Sequence, residues 1–255
     1  MPAPERLFDM TGERVLVTGA SRGIGRFAAM TLARHGAAVA LAARSPDSVK
    51  ELAGAIAASG GTASVVGMDV TSPSSIGAGI AQAIGALGGL TVLVNNAGVA
   101  IAKPALQQSE GDWDHVLDTN LKGAFFVATE CARSMQQHGG GRIVNIASAI
   151  ADFVVGHLAP YAASKAGLVQ LTKAMALEWA RHKIQVNAIA PGYITTEMNQ
   201  EFLESEKGAK LLQRTALRRA GALDDLEGPL LLLSSKACGY MTGSVIRVDG
   251  GLGLV

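Results

Sequence analysis

The chain has 255 residues, of which 49% are hydrophobic and 17% are charged, and its formal net charge is +1. This composition excludes an intrinsically disordered protein, and the near-zero charge provides no basic surface for nucleic acid or anionic lipid. We expect one domain over residues 1–255, because α/β folds of this length commonly form a single unit.

The cysteines and histidines show no pattern of a metal site or a disulfide framework. The two cysteines, Cys131 and Cys238, lack ligand spacing, and so do the five histidines. The first ten residues lack the apolar core of a signal peptide, and no run of about 18 apolar residues occurs. The sequence therefore predicts a cytoplasmic protein with no metal, no membrane partner and no nucleic-acid partner.

Short apolar runs alternate with helix-forming segments along the chain. In the first half, strands are predicted at residues 15–18, 38–42, 64–68 and 91–94, and helices at about 23–35, 48–58 and 74–87. In the second half, helices are predicted at about 113–137 and 161–181, and strands at 142–146, 184–189 and 244–248. Because these strands are continuous apolar runs, helices are expected on both faces of the sheet. We therefore predict an α/β fold: a Rossmann-type, doubly wound parallel sheet of seven strands with helices on both faces.

One segment, residues 197–220, interrupts this alternation. It is charged and helix-prone, and it falls between the sixth and seventh predicted strands. Two compatible interpretations are open: a pair of solvated surface helices, or a substrate lid at the carboxyl edge of the sheet, where ligands of such folds bind.

The first strand runs into a glycine-rich turn, and residues 15–25 read VLVTGASRGIG. Gly19 permits a tight turn, while Gly23 and Gly25 let the next helix approach a pyrophosphate closely. Because a strand precedes the turn and a helix follows it, we predict a dinucleotide site rather than a plain structural turn. The predicted cofactor-binding residues of this turn are Gly19, Ser21, Arg22, Gly23, Ile24 and Gly25.

The spacing of TGASRGIG resembles the cofactor loop of the short-chain dehydrogenase/reductase family, and the resemblance extends from about residue 11 to residue 251. Further motifs of that family follow in order: Asp69, the NNAG of residues 95–98, Asn120, Ser148, the YxxxK pair of Tyr161 and Lys165, and the PGYITT of residues 191–196. The resemblance implies that Asn120, Ser148, Tyr161 and Lys165 are catalytic. It also implies cofactor contacts by Asp69, Val70, Asn96, Ala97, Gly98, Tyr161, Lys165, Pro191, Gly192, Ile194 and Thr196.

Tyr161 and Lys165 are spaced for proton transfer. Residues four apart lie one turn from each other on a helix, so the lysine is expected to lower the tyrosine pKa from about 10 toward neutrality. Such a phenol can protonate a carbonyl that receives hydride or deprotonate an alcohol, and Ser148 can bind the same substrate oxygen. The resemblance implies that Lys165 holds the nicotinamide ribose and that Asn120 positions a water. An exposed polar pair without a catalytic role is the alternative.

The end of the second predicted strand indicates which cofactor is used. Ala43 stands where NAD-binding proteins place an acidic residue, and Arg44 follows it. Arg22 can point to the same place, and two guanidinium groups favour the 2′-phosphate of NADP. We therefore predict NADP(H), with NAD(H) as the alternative.

The expected activity is NADPH-dependent, reversible reduction of a ketone to a secondary alcohol, with a 3-oxoacyl thioester or another small carbonyl compound as substrate. A sugar, polyol or alcohol dehydrogenase is the alternative, because residues 7–12 (LFDMTG) resemble gluconate 5-dehydrogenase-like members of the family. A lyase or epimerase on the same scaffold is a third possibility. A cofactor-binding regulator without catalysis is a fourth, against which the intact Ser148, Tyr161 and Lys165 argue.

Two further expectations concern partners and substrate. The resemblance implies a homo-oligomer, a tetramer or a dimer, formed through the predicted helices at about 113–137 and 161–181 and the closing segment. His157 lies between Ser148 and Tyr161, where substrate would pass, although an ordinary loop histidine is the alternative.

Overall fold

Seven strands, all parallel, form one sheet in the part of the chain that the computed structural model describes, residues 7–197 and 199–254. The strands are β1 (Arg14–Thr18), β2 (Ala38–Ala43), β3 (Thr62–Gly67), β4 (Val92–Asn95), β5 (Gly141–Ile146), β6 (Ile184–Pro191) and β7 (Val245–Val248). Their spatial order is β3-β2-β1-β4-β5-β6-β7. The direction of winding reverses between β1 and β4, which creates the crevice where ligands bind in open α/β sheets. The predicted doubly wound parallel fold is confirmed.

Helices cover both faces of this sheet. They are α1 (Gly23–Arg34), α2 (Lys50–Ala58), α3 (Pro73–Leu87), α4 (Glu110–Leu117), α5 (Ala124–Gln137), α6 (Ala159–Trp179), α7 (Gln200–Glu204), α8 (Glu206–Leu212) and α9 (Glu227–Ser234). A π-helical segment, Asp118–Gly123, joins α4 to α5. No helix in the described residues is both long enough and apolar enough to span a bilayer.

A separate hydrophobic cluster lies against each face of the sheet. Val15 and Val17 of β1 belong to a cluster that includes residues of α1, α2 and α9. Leu16, between them, belongs to a cluster that includes residues of α3, α5 and α6. All three side chains are completely buried. Because both faces are covered, the strands read as continuous apolar runs rather than as polar–apolar alternations.

Two predicted helices differ from those in the structure. The predicted helix 48–58 starts as a short 3₁₀ turn, Pro46–Val49, before α2 begins. The single helix predicted at 113–137 is α4 and α5 with the π-helical segment between them. It also starts earlier, at Glu110, because Ser109 and Asp112 form a capping box there.

The sequence does not predict helix α9. Its first turn contains Gly228 and Pro229, which are typical helix breakers, and four leucines and a serine follow. Proline is tolerated in the first turn of a helix, where its missing N–H has no intrahelical partner. The apolar run that follows then packs against the sheet, and Leu230, Leu231 and Leu233 are buried.

Segment 197–220 contains the two short helices α7 and α8. Ser205 separates them, and its Oγ accepts a hydrogen bond from the Gly208 N–H at 3.2 Å, which caps α8. A helix pair therefore exists here, as one interpretation of this segment expects. Movement of the segment as a lid stays a prediction.

Candidate active site

The glycine turn between β1 and α1 is so closely packed that two of its glycines leave no room for a side chain. Gly19 has a φ of +64°, and a Cβ there would lie 3.0 Å from Ala97 Cα. A Cβ at Gly25 would lie 2.2 Å from the Gly19 carbonyl oxygen. Only glycine allows the backbone to turn and approach itself in this way.

The NNAG tetrapeptide after β4 holds this turn against the sheet. Thr18 Oγ1 accepts hydrogen bonds from the Asn96 and Ala97 backbone N–H groups at 2.9 and 3.0 Å. Asn96 Nδ2 donates in return to the carbonyl oxygens of Thr18 and Gly19 at 3.0 and 3.2 Å. Both Nδ2 protons of Asn96 are thus used within the protein, so this residue shapes the predicted cofactor site by fixing the turn.

Helix α1 begins with backbone donors that no side chain satisfies. Arg22 precedes the helix in an extended conformation and makes no capping hydrogen bond, and the first turn contains no acidic residue. The first four N–H groups of a helix have no intrahelical partner, so this end presents donors and the positive end of the helix dipole. The turn therefore fits the pyrophosphate of a dinucleotide.

A segment after β6 lies beside the same turn. A Cβ at Gly23 would lie only 3.7 Å from Thr196 Cγ2, so Thr196 faces the first residue of α1. Thr196 donates to Asn199 Oδ1 from its backbone N–H at 2.8 Å, and Asn199 Nδ2 donates to the Ile194 carbonyl oxygen at 2.9 Å. These bonds fix the predicted cofactor residues of this segment at the mouth of the crevice.

Charged side chains lie before α1, after β2 and after β3. Arg22 and Arg44 are both exposed, and neither forms an ion pair with another described residue, so both guanidinium groups can receive an anion. Asp69, after β3, accepts hydrogen bonds from the Thr71 N–H and hydroxyl at 2.9 and 2.8 Å. These two bonds, assisted by the charge of Arg44, lower the pKa of Asp69. Asp69 is therefore ionised at neutral pH.

The carboxyl end of β5 brings three of the predicted catalytic residues together. Ser148 follows the strand by two residues and is buried, and its Oγ accepts a hydrogen bond from the Ile150 N–H at 3.3 Å. Lys165 Nζ donates to the carbonyl oxygen of Ile146, the last residue of the strand, at 2.7 Å. Tyr161 lies one turn before Lys165 on α6, with the lysine Nζ 5.8 Å from the centre of its ring.

Burial controls the ionisation of this pair. Burial raises the pKa of Tyr161 above its ordinary value, and a hydrogen bond with Ser148 opposes that rise. Burial also lowers the pKa of Lys165 to about 8. The expectation that the lysine lowers the tyrosine pKa toward neutrality is not met in this structure, because desolvation of the phenol outweighs the Ser148 hydrogen bond that opposes it. Tyr161 keeps its proton at neutral pH.

Asn120, the fourth predicted catalytic residue, lies in the π-helical segment and is completely buried. Its Nδ2 donates to the Val99 carbonyl oxygen at 2.8 Å and to Ser164 Oγ at 3.1 Å, and its Oδ1 accepts from the Val99 N–H at 2.8 Å. Single π-turns inside helices occur frequently at functional sites. Here the extra residue turns the amide toward the loop after β4.

Gly98 of the NNAG tetrapeptide is the point where these groups meet. A Cβ at Gly98 would lie 3.3 Å from Asn120 Oδ1 and 3.6 Å from Lys165 Nζ. The structure therefore brings the predicted catalytic residues and the loop of the predicted cofactor site to one place.

The sequence does not predict Asn145 and Thr172, two buried polar residues behind this site. Asn95, the first residue of the NNAG motif, donates from Nδ2 to the Ala124 carbonyl oxygen at 2.8 Å and to Asn145 Oδ1 at 3.1 Å. Asn145 Nδ2 donates in turn to Thr172 Oγ1 at 2.9 Å. This chain of bonds links β4, β5 and α6, which carry or flank the catalytic groups. The available signal was the lone asparagine, Asn145, within the apolar strand β5, because buried amides require partners.

His157 adopts an unusual backbone conformation. Its φ is +71°, its side chain is exposed, and its carbonyl oxygen accepts a hydrogen bond from the Lys103 N–H at 2.8 Å. Among the residues described, no hydrogen bond or ion pair joins its ring to Ser148 or Tyr161, so a role toward substrate stays a prediction.

Known proteins resemble this chain over nearly its full length. The family model of the short chain dehydrogenases matches residues 13–207. The gluconate 5-dehydrogenase of Gluconobacter oxydans (strain 621H) is 40% identical over 247 residues, covering 96% of each chain. The 3-oxoacyl-(acyl-carrier-protein) reductase of Escherichia coli (strain K12) is 34% identical over 244 residues, covering 96% of this chain and 98% of that protein. Among solved structures, a similar one is the crystal structure of a gluconate 5-dehydrogenase from Burkholderia cenocepacia J2315 in complex with NADP and tartrate. Its sequence is 35% identical and its TM-score is 0.95, and the match covers 99% of this chain and 100% of that chain.

Proposed function

This chain belongs to the short-chain dehydrogenase family of NAD(P)-dependent oxidoreductases acting on CH–OH groups, and we propose that it reversibly reduces a small ketone to a secondary alcohol with NADP(H). The observation that carries the proposal is the meeting of Ser148, Tyr161 and Lys165 at the end of β5. In the sheet, β5 is two strands from β1 and its glycine turn, whose free donors suit a dinucleotide.

In ketone reduction, Tyr161 Oη donates a proton to the carbonyl oxygen. Its raised pKa keeps that proton in place at neutral pH, so the group is ready to act as an acid. The Ser148 hydroxyl donates a hydrogen bond to the same oxygen as negative charge develops there. The chemistry that a nicotinamide would supply when bound is hydride donation to the ketone carbon and, in the reverse direction, hydride acceptance from the alcohol.

Lys165 and Asn120 hold the groups around this proton donor. An ammonium has three donors, so Lys165 keeps two after its bond to the Ile146 carbonyl oxygen, and these would bind the nicotinamide ribose. The Oδ1 of Asn120 keeps one lone pair after its bond from the Val99 N–H, and this lone pair would accept a bond from a water beside Lys165.

The cofactor choice rests on charge at the carboxyl end of β2. Arg44 and Arg22 would bind the 2′-phosphate of NADP(H), since both are exposed and free of ion pairs among the described residues. Asp69 would contact the adenine. The presence of NADP in the gluconate 5-dehydrogenase from Burkholderia cenocepacia supports the same choice.

Two substrate classes are candidates within this activity. The 3-oxoacyl thioesters are supported by the similarity to the Escherichia coli reductase at 34% identity. The sugar acids are supported by the similarity to the gluconate 5-dehydrogenase of Gluconobacter oxydans at 40% identity, and by residues 7–12. The higher identity favours the sugar acids, although the sequence alone favours the 3-oxoacyl thioesters and other small carbonyl compounds.

The proposal includes a homo-oligomer in a reducing, cytoplasmic setting. Leu177 on α6 is 83% exposed and Phe126 on α5 is 39% exposed, and a second copy of the chain would cover them. The thiols of Cys131 and Cys238 are both free and buried, which suits a compartment where disulfides do not form.

A panel of ketones and alcohols, assayed with both cofactors, tests the proposed activity. We expect loss of reduced cofactor in proportion to alcohol formed, and faster loss with NADPH than with NADH. Product formation without net loss of cofactor would indicate a lyase or an epimerase instead. Binding of NADPH without turnover across the panel would contradict the proposal and favour a regulator.

A further inference from the structure

Ser164 lies on α6 between Tyr161 and Lys165, and it is completely buried. Its Oγ donates a hydrogen bond to the Tyr161 carbonyl oxygen at 2.7 Å. The same Oγ accepts a hydrogen bond from Asn120 Nδ2 at 3.1 Å. One buried hydroxyl therefore joins the π-helical segment, which carries Asn120, to the turn of α6 that carries Tyr161 and Lys165.

The hydrogen bond to Tyr161 decides which side of the Asn120 amide can face Ser164. A serine hydroxyl has one proton and two lone pairs. Because that proton is directed to the Tyr161 carbonyl oxygen, Ser164 Oγ can only accept from Asn120, and it requires the Nδ2 side of the amide. The Oδ1 side accepts from the Val99 N–H at 2.8 Å. An amide turned over by half a rotation would bring two acceptors together at Ser164.

The backbone of the π-helical segment is closely packed where Ser164 meets it. A Cβ at Gly167 of α6 would lie 3.0 Å from Leu121 Cδ1 of the segment. A Cβ at Gly123 of the segment would lie 2.5 Å from the carbonyl oxygen of Val70, a predicted cofactor residue. These contacts limit movement of the backbone, so the position of the Asn120 amide is decided mainly by its hydrogen bonds.

The amide of Asn120 must be placed accurately because its Oδ1 lies near Lys165. Both Oδ1 and Lys165 Nζ approach Gly98, where a Cβ would lie 3.3 and 3.6 Å from them. Two hydrogen bonds with Val99 hold the amide to the loop after β4. Among the described residues, the bond to Ser164 is the one hydrogen bond between this amide and α6, the helix that carries Lys165.

We propose that Ser164 is a positioning residue for ketone reduction: it binds Asn120 Nδ2 to α6 and thereby keeps Oδ1 facing the water proposed beside Lys165. The inference rests on the proposed function. Ser164 itself contacts neither substrate nor cofactor, so the hydride and proton transfers are unchanged and only the placement of Asn120 depends on it.

A double-mutant cycle tests this role with the best substrate from the ketone panel. The variants are Ser164→Ala, Asn120→Ala and the combination of the two. The matched control is Ser234→Ala, because Ser234 on α9 is also completely buried but its hydroxyl has no partner among the described residues. We expect Ser164→Ala to lower kcat about 3- to 10-fold, as one lost hydrogen bond between neutral groups predicts, with KM and the Kd for NADPH unchanged. Ser234→Ala should have the kcat of the wild type.

The double variant separates this role from a general structural one. If Ser164 acts through Asn120, adding Ser164→Ala to Asn120→Ala should lower kcat no further, because the amide that Ser164 holds is already gone. Losses that multiply in the double variant, or a wild-type kcat in Ser164→Ala, would overturn this inference and leave the proposed function standing.

A second variant keeps the test decisive if Ser164→Ala does not fold. Ser164→Cys keeps the shape of the side chain but has a weak donor and a weak acceptor, so it should show the same loss in kcat. A folded Ser164→Cys with the kcat of the wild type would overturn the inference. A wild type that reduces no ketone at all would overturn the proposed function and this inference together.

Discussion

Tyr161 and Lys165 are placed side by side, yet each is governed by its own burial. The phenol keeps its proton because its ionised form would be desolvated, and the ammonium has a pKa lowered to about 8 for the same reason. An enzyme with this pair starts from a protonated phenol at neutral pH. That state suits the direction of ketone reduction, in which the phenol acts as an acid.

The two directions of the reaction should therefore respond oppositely to pH. We expect kcat/KM for ketone reduction to stay level up to about pH 8 and then to fall, as Lys165 and then Tyr161 lose their protons. Oxidation needs the phenolate, so its kcat/KM should rise through the alkaline range. Profiles of both directions check this, and an oxidation rate that levels off below pH 8 would show that the Tyr161 pKa is lowered instead.

Arg44 should decide which nicotinamide cofactor is preferred. We expect Arg44→Asp to weaken NADPH binding by about tenfold or more, because it removes a charge-assisted bond and adds repulsion toward the 2′-phosphate. NADH binding should change little. Fluorescence titration with both cofactors measures the ratio, and Arg181→Asp, an exposed arginine far from β2 in the chain, serves as the control. An unchanged preference would remove Arg44 from the site.

For a single residue, the sequence indicates a functional role only where that residue belongs to a motif. Ser148, Tyr161 and Lys165 can be selected because their spacing is specific. Asn145 and Thr172 cannot, because an asparagine in a strand and a threonine in a helix acquire their role only when β5 and α6 pack together. The sequence also misleads on the Tyr161 pKa, since spacing reveals a nearby charge but not the loss of water.

Among the elements, the β1–α1 turn positions the backbone of the predicted cofactor site, and the π-helical segment positions Asn120. The turn is readable from its glycines, whereas the π-helical segment reads as part of one long helix, because residues 118–123 contain no proline and only one glycine, Gly123. Its extra residue is stabilised by tertiary bonds from Asn120 to Val99 and Ser164, which no local pattern contains.

Gly25→Ala tests whether the turn must be this compact. The added Cβ would meet the Gly19 carbonyl oxygen at 2.2 Å, so the turn has to open. We expect a loss of about 1–3 kcal/mol in the free energy of unfolding and NADPH binding at least tenfold weaker. The control is Gly54→Ala in α2, which has open space around it and should stabilise the protein by about 0.5–1 kcal/mol. Unaltered NADPH binding in Gly25→Ala would refute the role of the turn.

For the whole molecule, the architecture of the sheet follows from the sequence more directly than the nature of the surface does. The alternation of apolar runs and helices predicts a doubly wound parallel sheet, and continuous runs predict two covered faces. The sequence does not reveal α9, because Gly228 and Pro229 hide its first turn. Nor does it separate helix faces that pack within the chain from faces left to a partner, since both are rich in small apolar residues.

Exposed Leu177 allows a test of the proposed oligomer. We expect Leu177→Glu to shift the protein toward monomers in light scattering coupled to size-exclusion chromatography, because a charge would be buried at the contact. Leu106→Glu is the control, since Leu106 is fully exposed outside α5 and α6. A wild type that is monomeric, or a variant with the mass of the wild-type oligomer, would contradict an interface through α6.

We propose that the Tyr161 hydroxyl protonates the ketone oxygen, while other residues supply most of the affinity for NADPH. Turnover and NADPH affinity of Tyr161→Phe, measured beside those of Tyr240→Phe, show whether this is so. We expect Tyr161→Phe to lower kcat by about 100-fold or more, the contribution typical of a positioned acid, and to leave the Kd for NADPH within about threefold of the wild type. Wild-type turnover in Tyr161→Phe would show that another group donates the proton.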